Sequence, residues 1–133
     1  MIKQISAVLL ALAATGAVAQ SAPGGPLGTL QCTGKPVTIR LSIIKPGQLA
    51  LFKKAVADHQ AWYAKNGNGT KVTLVRVTKR GAGGALSYDD SAAMTVVTYD
   101  AKPQPARDAG YAAFVKEYQD SSTVKDEHRG CLG

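Results

Sequence analysis

Val37-Thr38-Ile39-Arg40-Leu41-Ser42-Ile43 decides the fold. Apolar and polar residues alternate across it, which is the period of a strand with one buried face. Pro46-Gly47 ends the strand. Leu49, Phe52, Val56, His59 and Tyr63 then recur at steps of three and four, with Ala55 and Trp62 widening the stripe. Lys53, Lys54, Asp58, Gln60 and Lys65 fall on the other side, so the spacing predicts an amphipathic helix. Gly67 stands where a left-handed cap would close that helix.

Working outward, Thr70 to Lys79 is rich in Val and Thr and predicts a second strand. Gly81-Ala82-Gly83-Gly84 breaks it, and a loop is expected to continue through Tyr88-Asp89-Asp90. Ala93 to Tyr99 predicts a third strand, antiparallel to the second. Pro103 and Pro105 lead into a second helix with the stripe Tyr111, Phe114, Val115 and Tyr118. Gly110 inside that helix costs up to about 1 kcal/mol relative to Ala, which points to close packing there. The tail from Ser121 to Gly133 is polar with little periodicity and reads as a short final strand or an extended arm. The order is a split βαββα(β), the ferredoxin-like α+β pattern, with two helices on one face of an antiparallel sheet. Neither the second nor the third strand has a wholly polar face, so something is expected to cover the other side of the sheet. A symmetric partner does this most simply, which predicts a homodimer through the open sheet face.

The ends of the chain add its compartment. Lys3, an apolar run from Ile5 to Ala14 and the small-x-small Ala17-Val18-Ala19 make residues 1–19 a signal peptide. Residues 20–29, rich in Gly and Pro, form a flexible segment, and residues 30–133 form one domain. The protein is therefore expected to be periplasmic or secreted. No segment is long enough to predict a transmembrane span. Export makes a Cys32–Cys131 disulfide possible; a bridge between two molecules or two free thiols are the alternatives. Closing a loop of about 100 residues is worth roughly 4–5 kcal/mol in the chain-entropy model. In a eukaryotic source Asn68-Gly69-Thr70 would be a glycosylation acceptor.

Of 133 residues, 16 are Lys or Arg and 9 are Asp or Glu, a net charge of +7. The cations are scattered and not interleaved with stacking aromatics, which argues against nucleic acid as a partner.

The element order from Val37 to Tyr118 resembles the dimeric α+β barrel superfamily, the group that includes antibiotic-biosynthesis-type monooxygenases. Lys45-Pro46-Gly47-Gln48 leading into Phe52-Lys53-Lys54-Ala55, and His59-Gln60-Ala61-Trp62-Tyr63 before Gly67, carry the likeness. It implies two sheets packed face to face and a ligand pocket between helices and sheet. It also implies a range of activities that includes cofactor-independent oxygenases, haem-degrading enzymes and cyclases. The Asn, Trp and His of the haem-degrading branch have no counterpart set here, because no strand Asn accompanies His59 and Trp62.

His59 is the sharpest candidate for chemistry. Its unperturbed pKa near 6.5 suits a general base, and Phe52, Trp62, Tyr63 and Tyr99 could line a ligand site around it. A packed histidine bonded to a carbonyl or a tyrosine is the plainer reading. Asp126-Glu127-His128 has the composition of a metal site but not the geometry, since adjacent residues do not converge on one ion. The glycine loop lacks the Lys-Ser or Lys-Thr of a phosphate loop. No metal and no cofactor are expected. Two functions follow: non-catalytic binding of a small hydrophobic ligand or a protein partner, or, as the resemblance implies, a cofactor-independent oxygenase or cyclase. The latter would act on a small aromatic or polyketide-like substrate with His59 as general base.

Overall fold

The computed structural model describes residues 31–133, so the expected signal peptide and the segment 20–29 lie outside the described residues. The elements are β1 (Lys35–Ile44), α1 (Leu49–Lys65), β2 (Lys71–Arg80), a 3₁₀ turn (Ala82–Gly84), β3 (Leu86–Thr98), α2 (Ala109–Ser121) and β4 (Ser122–Leu132). They form one four-stranded antiparallel sheet in the order β2-β3-β1-β4, with two helices, which is the ferredoxin-like α+β arrangement.

Local chemistry sets the joints. Gln48 N–H donates to Lys45 O at 3.0 Å across Pro46-Gly47, with Gly47 at φ 73°, a type II turn that needs glycine at its third position. α1 ends in a Schellman motif: Gly67 N–H donates to Ala64 O and Asn68 N–H to Tyr63 O, with Gly67 at φ 65°. The α1 stripe is buried as its spacing requires, at Phe52, Ala55, Val56, His59, Trp62 and Tyr63. Gln60, on the polar side, reaches the free edge of β2. Its Oε1 accepts from Val72 N–H at 2.8 Å, and its Nε2 donates to Thr70 O at 3.3 Å. Cys32 and Cys131 are bonded to each other, 99 positions apart in sequence, where β1 begins beside the end of β4.

Three features differ from the sequence expectations. β3 begins at Leu86, not near Ala93, so Leu86 to Ala92 is strand where a loop is expected. A bulge sets the four residues Asp89 to Ala92 against Val77 of β2, which breaks the alternation that would mark them as strand. The tail is a full eleven-residue strand paired to β1 from Lys35 to Ile44, with its own bulge at Leu41/Ser42.

The third difference concerns β1. The core beneath the helices gathers Ile44, Val72, Ala93, Val97, Phe52, Val56, Trp62, Tyr63 and Phe114. By strand alternation the helix-facing side of β1 is therefore Thr38, Arg40, Ser42 and Ile44. Thr38 and Ser42 are buried there. Its more apolar side, Val37, Ile39, Leu41 and Ile43, faces away from both helices. The alternation is real, but the helices lie on its polar side.

Candidate functional site

Between α1 and α2 lies a layer of rings. The His59 imidazole stacks on Phe114 with centroids 4.3 Å apart and planes 15° apart, and on Tyr63 at 5.3 Å. Tyr118 meets it edge-on, with Oη 3.3 Å from His59 Nδ1. Phe52 packs edge-on against Tyr118 at 5.4 Å. α1 and α2 can bring these rings together because each places its aromatics at helical spacing on the face turned toward the other.

A polar seam adjoins the rings. Arg40 sits on the helix-facing side of β1, and its Nε donates to Glu127 Oε2 of β4 at 2.6 Å. Glu127 Oε1 accepts in turn from Arg129 Nε at 3.2 Å. The direct hydrogen bond from Arg40, and secondarily its charge, holds the Glu127 carboxyl below its ordinary value. His59, 8% exposed, has its pKa lowered to about 4, first by burial and then by the Arg40 charge. Burial pushes the Tyr118 phenol well above its usual range and the Tyr63 phenol up to about 12. At neutral pH the centre of the layer thus holds an uncharged imidazole beside an uncharged phenol.

The candidates named from sequence divide as follows. Phe52, His59, Trp62 and Tyr63 share this one aromatic layer. Trp62 Nε1 donates to Asp108 Oδ1 at 2.8 Å, and Tyr63 Oη donates to Gln104 Oε1 at 2.8 Å, so both polar tips are occupied within the fold. Tyr99 packs against the same core, with its hydroxyl donating to Thr38 Oγ1 at 3.2 Å. Two cavities open elsewhere. One, about 230 Å³, is lined by Tyr99, Asp100, Lys35 and Lys71 among others; the second, about 510 Å³, lies between Lys45, Gly47, Leu49 and the Asp90-Ser91 base of β3. Neither is lined by His59, and Tyr99 is the one candidate that borders either.

β4 sorts the Asp126-Glu127-His128 run by strand geometry. Asp126 and His128 share a side, with His128 Nε2 3.0 Å from Asp126 Oδ2, while Glu127 points to Arg40. No group of three or more metal-ligating side chains is present among the described residues. Asn68 is buried, its Nδ2 donating to Pro103 O and its Oδ1 accepting from Thr70 N–H, so a glycan there would have to displace native bonds.

Arg40 and Glu127 are the members of the site that sequence reasoning missed. Their one local signal is a cation at a strand position that alternates with Thr38 and Ser42. Pairing them requires knowing that β4 lies beside β1, a contact 87 residues apart.

No protein-family model matches the chain, and no curated protein matches its sequence. Among solved structures, a phage SAM lyase in complex with S-methyl-5'-thioadenosine is similar over 78% of this chain and 95% of its own. The identity is 10% and the TM-score 0.25, a likeness too slight to carry an argument about activity.

Proposed function

We propose that the chain is an exported, non-catalytic binding domain whose open sheet face takes a second copy of itself, as the resemblance to dimeric α+β barrels implies. The carrying observation is the orientation of β1, one of the two central strands of the sheet. Its apolar side looks away from both helices, and Ile39, Leu41 and Ile43 continue sideways into Met94 and Val96 of β3 and Val75 of β2. Ile43 is 42% exposed and Val75 39%. A contiguous apolar patch on a sheet is the surface that a second sheet, packed about 10 Å away, removes from water.

The sealing of His59 supports binding over catalysis. A base of pKa about 4 is a weak proton acceptor at neutral pH, His59 is 8% exposed, and neither of the two cavities above is lined by it.

The test is the solution mass of the disulfide-bonded protein by light scattering. Twice the chain mass is expected, falling to the chain mass in Leu41→Asp with an unchanged far-ultraviolet spectrum. Ile43→Lys, at a more exposed position, serves where Leu41→Asp does not fold. A monomer at high micromolar concentration, or a dimer that persists in both variants, overturns the proposal.

A further inference from the structure

β2 and β3 run on past the end of β1. β1 pairs with β3 from Thr98 to Ala92, whereas β3 continues to Leu86 with β2 as its neighbour. The extension is a two-stranded arm turned at Gly81–Gly84, where Gly83 and Gly84 take φ 71° and 80°. Its base is braced. Arg76 lies with its guanidinium 4.5 Å over the Tyr88 ring, and its Nη2 donates to Asp90 Oδ1 at 2.5 Å.

The pairings Thr78 with Tyr88 and Arg80 with Leu86 put Arg80, Leu86 and Tyr88 on one side of the arm and Lys79 on the other. Leu86 is 63% exposed and Tyr88 62%. From Thr78 to Tyr88 the arm holds two cations, Lys79 and Arg80, and no carboxylate; of the two that follow at its base, Asp90 is paired with Arg76 and Asp89 accepts from Ser91. Two-stranded ribbons are marginally stable in water, and Leu86 lies outside the hydrophobic core that holds the rest of the sheet.

The geometry points to an anionic phospholipid surface as the partner of this arm, a contact separate from the sheet face and independent of the dimer proposed above. Leu86 and Tyr88 enter the headgroup boundary, where tyrosine is favoured, Arg80 beside them meets lipid phosphates, and Lys79, on the opposite side, adds attraction across the width of the ribbon. The shape of the arm selects this partner over an acidic protein. A ribbon two strands wide, roughly 10 Å across, offers less on one side than the roughly 600 Å² per partner at the lower end of specific protein interfaces. A lipid boundary needs only a few apolar side chains flanked by cations. The net charge of +7 on the whole chain acts in the same direction.

The experiment is co-sedimentation of the disulfide-bonded protein with vesicles of phosphatidylcholine alone and of phosphatidylcholine mixed with phosphatidylglycerol, at low and high salt. Binding to the mixed vesicles, weakened by salt, is expected. Lys79→Gln/Arg80→Gln should lower partitioning by roughly 5- to 25-fold, about fivefold from Arg80 and up to as much again from Lys79 on the far side. Leu86→Ser/Tyr88→Ser, which leaves the charge unchanged, should lower it at least about tenfold. Far-ultraviolet spectra and solution mass should stay as in the parent protein. Equal binding to both vesicle types, binding that survives both double variants, or retention on polyglutamate without vesicle binding overturns the assignment.

Discussion

The indole N–H of Trp62 donates to Asp108 Oδ1 at 2.8 Å, and that same oxygen accepts the backbone N–H of Tyr111 at 2.9 Å. One carboxylate thus caps α2 and ties it to the largest ring of α1. Both donors hold the Asp108 carboxyl below its ordinary value, the Tyr111 amide foremost. Asp108→Ala is expected to lower the melting temperature by more than loss of the exposed Lys116–Asp120 pair through Asp120→Ala. Asp108→Asn, which keeps an acceptor oxygen, should recover most of the loss. Thermal unfolding of the three variants checks this.

Gly110 lies against that indole. A Cβ there would sit 3.1 Å from Trp62 Cδ1 and 3.3 Å from Asp108 Oδ1. Helix propensity alone favours Ala over Gly by about 1 kcal/mol. Because Trp62 is buried and anchored by Asp108, the ring has little room to yield. Gly110→Ala should therefore be net destabilising, by about 1–2 kcal/mol in denaturant titration.

His59 links stability to pH. Its folded pKa of about 4 lies below the unfolded value near 6.5, so between these values the unfolded chain binds a proton that the folded chain refuses. The stability tied to the neutral ring is complete above about pH 6.5 and declines as pH falls toward 4, by roughly 3 kcal/mol in all. His59→Phe keeps the stacking on Phe114 and should flatten this slope. The lowered carboxyls of Asp108 and Glu127 act in a separate, more acidic window, below their ordinary values of 3.8 and 4.5. Urea unfolding across pH 4–8 in both proteins separates the two.

The Cys32–Cys131 bond closes nearly all of the described chain. Cys32→Ser/Cys131→Ser should cost about 2–5 kcal/mol, a large share of the stability of a domain this size. The secondary structure should persist in the folded fraction, because β1 and β4 are paired along their whole lengths without it. Denaturant midpoints of the oxidised protein and the variant measure the effect.

Sequence periodicity was informative wherever a face is buried against the helices. The stripe from Leu49 to Tyr63 and that from Tyr111 to Tyr118 fall on the observed helices. The turns at Pro46-Gly47 and Gly67 fall at their ends. Legibility failed at β4 because nearly every side chain from Thr123 to Leu132 is exposed, leaving no apolar alternation to read. It failed at Leu86 to Ala92 because the bulge around Asp89-Asp90 interrupts the period. The side on which the helices lie against β1 was not legible at all. Val37, Ile39 and Leu41 are the more apolar set, and only the pairing of β1 with the core side of β3, at Ala93 and Val97, shows that Thr38, Arg40 and Ser42 face the helices. Periodicity reports that a strand has two unlike sides, not which layer claims each.

Gln60 has a consequence for how copies of the molecule meet. Its amide acts as a false strand at the start of β2, taking up the donor and the acceptor that a stray extended segment would seek first. Lateral growth of the pleated layer is thereby obstructed at that corner, and the charged run of β4 discourages it along the opposite rim. Growth from the rims would propagate without limit, whereas the pairing proposed for the broad side would stop at two copies.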